Sequence, residues 1–337
     1  MVFFKRIVAF FTFAVTVIAS WFGMDVNLQK TVAPEDFEVV SYAVASNIQS
    51  PDSLHTEDFD IITTVILFGC VTFDEAGELH VDTNMLETAL ANLRNAIGER
   101  DVKITLNLLG PGPVEYTDWN DQMAKLALLH NEAFASDKLE GNIKALIEKY
   151  DFDGVHFDYE YPISKDAWKA FNKFLVKLDK QMPDRTIGIA VSTWDVGLNT
   201  QALNAIDSIE LMLYDHYDEE GRHSTYETAV GAAEGFLEKY IPLDMVHFGL
   251  PFYARPTDSD AYWYGYNSYY NQLDENGFYY DESIGKNFWF NTPDVIADKT
   301  QYALANGFGG VMIWHYSCDL PSSDPNSLLG AIGTAIN

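Results

Sequence analysis

The chain has 337 residues, enough for one large domain or two small ones. Hydrophobic residues make up 47% of it and aromatic residues 14%, so it can fill a sizeable core and is not an intrinsically disordered chain. Its 50 acidic against 21 basic side chains give a net charge of −29, which repels nucleic acid and anionic lipid and suits a neutral partner. The solubility of an exported protein is the better account of that charge.

Residues 1–23 stand apart. Lys5 and Arg6 form a short basic region, and 7–22 is almost wholly apolar and uncharged. Val17-Ile18-Ala19 offers a cleavage position. The pattern is that of a secretory signal peptide. The apolar stretch is slightly long for one and just short of a comfortable span, so an uncleaved membrane anchor is the alternative. Either way the rest of the chain is expected outside the cytoplasm. Residues 24–35 read as a linker and 36–337 as the folded domain.

From residue 37 onward, apolar runs of strand length alternate with amphipathic helical stretches. Residues 37–43 read as the first strand and 61–69 as the second, β-branched and continuous as a strand buried on both faces should be. Thr83 is expected to cap a helix reaching residue 99, with Met85, Leu86, Leu90, Leu93 and Ile97 on one face. Residues 102–109 form the third strand, ended by Gly110-Pro111-Gly112-Pro113. A helical region follows and resumes over 136–150. The fourth strand falls within 153–162. Ser164 caps the next helix, which ends before Pro183. The fifth strand is 186–193, the sixth 208–214, and a helix spans 226–240. The seventh strand is 245–252. Thr292-Pro293-Asp294 starts a helix reaching residue 306, and 309–314 is the eighth strand.

Eight strands alternating with helices over this length fit an α/β fold, the (β/α)8 TIM barrel, whose active site lies at the C-terminal strand ends. Residues 254–290, after the seventh strand, form a small insertion dense in Tyr and Trp, expected to pack beside the mouth with a hairpin of its own. Cys70 and Cys318 follow strands that are not neighbours and are expected to be free. No His/Cys spacing suits zinc and no glycine-rich phosphate loop is present, so neither metal nor cofactor is expected.

The chemistry concentrates in Asp153-Gly154-Val155-His156-Phe157-Asp158-Tyr159-Glu160-Tyr161-Pro162. The strand period of 2 puts Gly154, His156, Asp158 and Glu160 on one face and Val155, Phe157 and Tyr159 on the other. Two carboxylates spaced about 6–7 Å along one face can hold different pKa values. An ionised Asp158 would leave Glu160 protonated as a general acid, the arrangement that glycosidic cleavage needs. Tyr214, Asp215, Trp194 and Trp314 gather at other strand tips, although Trp194 reads equally well as a packing residue.

This stretch resembles the Asp-x-x-Asp-x-Asp-x-Glu signature of glycoside hydrolase family 18, with His156 in place of the second Asp. Met212-Leu213-Tyr214-Asp215, Gly249 to Tyr253, and Gly309 to Trp314 resemble the family's sixth, seventh and eighth strands, and Tyr42 and Phe68 its aromatics on the first two. The resemblance implies a secreted chitinase-like hydrolase working by substrate-assisted retention on chitin or another N-acetylglucosamine oligosaccharide. In it Glu160 is the acid, Asp158 and Tyr214 hold the acetamido group, Asp215 and Met212 hold the sugar, and Trp314 stacks beneath it. Asp153 and His156 support the motif. His156 is expected to hydrogen-bond Asp158 or to pin it as an anion. An enzyme cleaving N-glycan cores and a chitin-binding lectin are the alternatives. A monomer is expected, with no nucleic-acid partner and a membrane partner only if the N-terminal segment stays uncleaved.

Overall fold

The computed structural model describes residues 33–337 apart from 195, 238 and 240. The expected export signal and the linker up to residue 32 lie outside the described residues. Eight parallel strands close on themselves: β1 (Glu38–Val44), β2 (Thr64–Phe68), β3 (Lys103–Leu109), β4 (Gly154–Asp158), β5 (Thr186–Ser192), β6 (Ser208–Met212), β7 (Val246–Pro251) and β8 (Gly310–Trp314). Each pairs with its sequence neighbours, and the β1–β8 and β2–β3 pairings complete the ring. This is the expected (β/α)8 barrel.

The outer layer is α1 (Thr83–Ile97), α2 (Trp119–Ala135), α3 (Leu139–Tyr150), α4 (Lys165–Gln181), a four-residue helix (Thr200–Leu203), α5 (Tyr226–Leu237), α6 (Pro293–Asn306) and α7 (Leu328–Ile336). Three short 3-10 turns replace a helix between β1 and β2. Local signals differ from expectation at two helix starts. Asp82, not Thr83, caps α1, its carboxylate accepting from Met85 N at 3.0 Å. The anion suits the helix N-terminus better than a hydroxyl one residue on. Thr292 occupies the cap position of α6 without a side-chain bond. Ser164 caps α4 as expected, accepting from Ala167 N at 3.1 Å.

Alternation along the strands divides the core. Val155, Phe157 and Tyr159 point outward into the large apolar layer beneath the helices, with Phe134, Phe171 and Phe174. Inside the ring, Val40, Tyr42, Ile66 and Met312 form a small apolar cluster, so β1, β2 and β8 supply its greasy side. β3, β4, β6 and β7 supply Asn107, His156, Glu210 and His247, all buried. Buried polar groups at this density need partners, and each finds one on an adjacent strand or the next beyond it.

The segment after β7 carries the expected hairpin, Phe278–Asp281 against Lys286–Trp289. A two-residue pairing of Tyr253–Ala254 with Tyr264–Gly265 ties the insertion to the barrel. Most of its aromatics pack on one another, as in the Tyr264–Phe288 stack at 4.2 Å. Trp263 is the one of them that lines the cleft. Cys70 and Cys318 are buried and free.

Candidate active site

The mouth at the C-terminal strand ends holds a cleft of about 420 Å³. Tyr42 enters it from β1, Asp158 and Glu160 from β4, Ser192 and Trp194 from β5, Met212, Tyr214 and Asp215 from β6, and Trp314 from β8. A second lobe of about 320 Å³ runs over Phe68, Leu109, Gly110 and His130. Asp158, Glu160 and Trp314 line both lobes, which puts the acid pair at their junction. Tyr42, Phe68 and Trp314 meet edge to face at 5.0–6.0 Å and form a rigid aromatic floor. A separate cavity of about 270 Å³ around Asp58 and Tyr316 contains no member of this set.

Asp158 is the last residue of β4, and Glu160 lies two residues beyond the strand. The chain has left the ladder there, so the two carboxyls hydrogen-bond each other instead of standing a strand repeat apart. Burial first, then the charge and hydrogen bond of Glu160, hold Asp158 well above the usual carboxylate range. This reverses the sequence expectation of an ionised Asp158: the buried member of the pair retains the shared proton, because it is the costlier one to ionise. Asp158 Oδ1 is buried and has no partner among the described residues, leaving it free for a ligand group. Burial, then the charges of Asp158 and Glu160, push the Tyr214 phenol well above its ordinary value, so its hydroxyl stays a donor.

Asp215 has a left-handed backbone (φ 59°), which an Asp tolerates better than most residues. Its carboxylate accepts from Arg255 Nε at 2.7 Å and Nη2 at 3.2 Å, from Tyr253 Oη at 2.8 Å and from His223 Nε2 at 2.8 Å. Partial burial alone would raise its pKa. The hydrogen bonds and charges of His223 and Arg255 outweigh burial and hold it well below the usual carboxylate range. It is a fixed anion on the wall of the cleft.

Three residues of the sequence reading fall elsewhere. Asp153 is at the far end of β4, where its Oδ2 accepts from Ile104 N at 2.7 Å and staples β4 to β3. Phe68 belongs to the second lobe alone. His156 does not bond Asp158, contrary to expectation. Its Nε2–H donates to Glu210 Oε2 at 2.7 Å and its Nδ1 lies 3.0 Å from Asn107 Nδ2. The physical reason is a glycine: His156 pairs in register with Gly188 of β5, and without a side chain there the imidazole reaches across β5 to Glu210. Trp194 is 52% exposed beside Tyr161, at 5.0 Å, so it is not a packing residue.

The family model for glycosyl hydrolases family 18 matches residues 64–319. The chain belongs to that family. Among curated relatives, Chitinase A1 of Niallia circulans is 22% identical over 294 residues, covering 64% of this chain and 41% of that protein. The chain spans between 33% and 56% of the length of the curated relatives it matches. Among solved structures, the GH18 chitinase ChiB of Flavobacterium johnsoniae superposes with a TM-score of 0.68 at 23% identity, covering 91% of this chain and 94% of that one. A chitinase from Bacteroides thetaiotaomicron gives 0.72 at 21%, covering 89% and 96%. These structural likenesses bear on the fold.

In this family 18 chain the sequence reading missed Tyr161, Tyr253, Arg255, Trp263 and His216 in the cleft, and His223 behind it. Arg255 had a usable signal: it is a base four residues past the end of β7, at the barrel mouth, in a chain poor in bases. Glu210 and His247 carried a signal too, as charged or polar residues inside otherwise apolar strands, which burial tolerates only when they are paired.

Proposed function

We propose that the chain hydrolyses β-1,4 bonds between N-acetylglucosamine units, in chitin or its oligosaccharides, with the substrate's own acetamido group as nucleophile. The observation that carries this reading is the acid pair: a buried carboxyl hydrogen-bonded to an exposed one, at the junction of two cleft lobes that Trp314 also lines. The names of the relatives support the substrate class.

The chemistry balances as follows. As the substrate displaces the bond between the two acids, their shared proton passes from Asp158 to Glu160, which gives it to the glycosidic oxygen as the C1–O bond breaks, and the acetamido carbonyl oxygen forms the new bond to C1. Asp158 accepts from the acetamido N–H and stabilises the oxazolinium cation, and the Tyr214 hydroxyl orients the same group. Water then adds to C1 from the same face while Glu160 takes its proton, restoring acid and acetamide. The aromatic floor and the Asp215–Arg255 wall hold the ring.

A chitobioside with its reacting N-acetyl group removed tests the nucleophile. Loss of an intramolecular nucleophile lowers turnover by roughly a hundredfold or more. Equal cleavage of the deacetylated substrate would assign the nucleophile to the enzyme and end this reading. Residues 1–23 are read as an export signal. N-terminal sequencing of chain recovered from medium tests it: a start beyond that segment supports cleavage, and an intact Met1 on membranes supports the anchor. All the cleft residues come from one chain, which we read as acting alone. Sedimentation at working concentration checks this.

A further inference from the structure

Beneath the cleft the barrel is built around a polar layer that the reaction just described leaves unused. Glu210 is 1% exposed and takes a hydrogen bond at each oxygen, from His156 Nε2 at 2.7 Å and from His247 Nδ1 at 3.0 Å. His156 is held in turn by Asn107. Glu210 and His247 are register partners on adjacent strands, whereas His156 comes from two strands away. Two strand glycines make the room. A Cβ on Gly188 would lie 2.8 Å from His156 Cδ2 and 2.7 Å from Ser208 Oγ, and one on Gly310 would lie 2.9 Å from His247 Cδ2. A side chain at either position would drive an imidazole off Glu210.

We propose that Glu210 is a positioning residue for the acid pair, acting through the negative charge that His156 and His247 hold in the barrel interior below it. The proposal rests on the hydrolase reading for its consequence in turnover, but not for the arrangement itself. The two imidazole donors more than offset burial and keep Glu210 ionised well below the usual carboxylate range. Its charge is one of those that raise Asp158, after burial and after Glu160. The other titratable or charged groups facing this space are, on the cleft side, Tyr42 from β1, Tyr214 and Asp215 from β6, Tyr161 beside Glu160, and Arg255 on Asp215, and, in the cavity of about 90 Å³ that Glu210, His156 and His247 line at the other end of the barrel, Asp36, Glu38, Lys103, Asp207 and Asp244. Tyr42 and Tyr214 stay protonated, burial being the main cause. The Asp215 charge is satisfied by Arg255 and His223. Glu210 is the buried anion of this layer, and its charge adds to burial and Glu160 in holding the proton on the acid pair.

The test is the pH profile of kcat/KM on a chitooligosaccharide for wild type, Glu210→Gln and Glu210→Asp. With the charge removed, the pair gives up its proton sooner, so the alkaline limb of Glu210→Gln moves to lower pH by a measurable fraction of a unit. Glu210→Asp keeps the charge and leaves the limb within a fraction of that. A folded Glu210→Gln with the wild-type limb overturns the proposal. Carboxyl 13C NMR of the wild-type chain gives a reading that needs neither turnover nor a stable variant. Glu210 should titrate below a free Glu and Asp158 above a free Asp. A Glu210 that titrates above a free Glu, or an Asp158 that titrates at or below a free Asp, overturns the proposal. If the wild type does not hydrolyse chitooligosaccharides while the NMR titration comes out as stated, the function proposed above has failed and the electrostatic arrangement stands.

Discussion

Replacing Arg255 by Met should loosen the wall of the cleft in a pH-dependent way. Arg255 gives Asp215 a forked pair of contacts at 2.7 and 3.2 Å. A charge-assisted hydrogen bond in a dry site is worth about 1.5–3 kcal/mol. The Asp215 side chain is 42% exposed and that of Arg255 23%, so solvent screening brings the pair down to about 1 kcal/mol. Asp215 is a carboxylate with a depressed folded-state pKa. Its contribution is complete above the unfolded value of about 3.9 and is lost as pH falls through the folded value. At pH 7 the variant should melt about 2 °C below wild type. The gap should close as pH drops below about 4, since protonated Asp215 gains nothing from Arg255. Calorimetric scans of both proteins from pH 7 to pH 2.5 measure this directly. The same variant should show a raised KM for chitobioside, while Arg255→Lys, which keeps the charge without the fork, should lie between. A melting gap independent of pH, or none at any pH, would refute the reasoning.

Two further outcomes test the packing. Gly188→Ala should cost about 1–3 kcal/mol, because its Cβ meets Ser208 Oγ at 2.7 Å and His156 Cδ2 at 2.8 Å. Gly231→Ala, on an α5 face with nothing within 4 Å, should instead gain about 0.5–1 kcal/mol, and denaturant titration separates the two. Burial pushes the Cys70 and Cys318 thiols up to about 12, so neither should react with a thiol reagent at pH 8 until the chain is unfolded, when both should. Rapid labelling of either in the native protein would contradict their burial.

The barrel was legible because its signals are long and redundant. Runs such as 64–68 and 246–251 are continuous apolar strands, and the amphipathic helices between them repeat the βα order. Alternation along β4 also assigned Val155, Phe157 and Tyr159 to the outer layer and His156 and Asp158 to the inner face correctly. What alternation cannot supply is which residues from other strands share a face. Glu210 and His247 lie 54 and 91 residues beyond His156 in the chain, and nothing local in 153–162 reveals that Gly188 opens a path between them. The same limit hid Arg255 and His223, which reach Asp215 from 40 and 8 residues away. The proton was misplaced for a related reason. Period-2 spacing assumed that the strand continues to Glu160, but the ladder ends at Asp158, and the acids meet. The cap of α1 was set one residue late because Asp82 and Thr83 are both good cap residues and only geometry chooses between them.

The central claim is that Glu160 supplies the proton for cleavage between N-acetylglucosamine units. Its most direct test is hydrolysis of fluorogenic chitobioside and chitotrioside by residues 24–337, side by side with Glu160→Gln. General acid–base catalysis by one group contributes roughly 10²–10⁴-fold. The account predicts clear turnover by the wild type and a loss of at least that order in the variant, with binding of the oligosaccharide retained. Turnover that survives Glu160→Gln, or a wild type that binds the sugars without cleaving them, would contradict it.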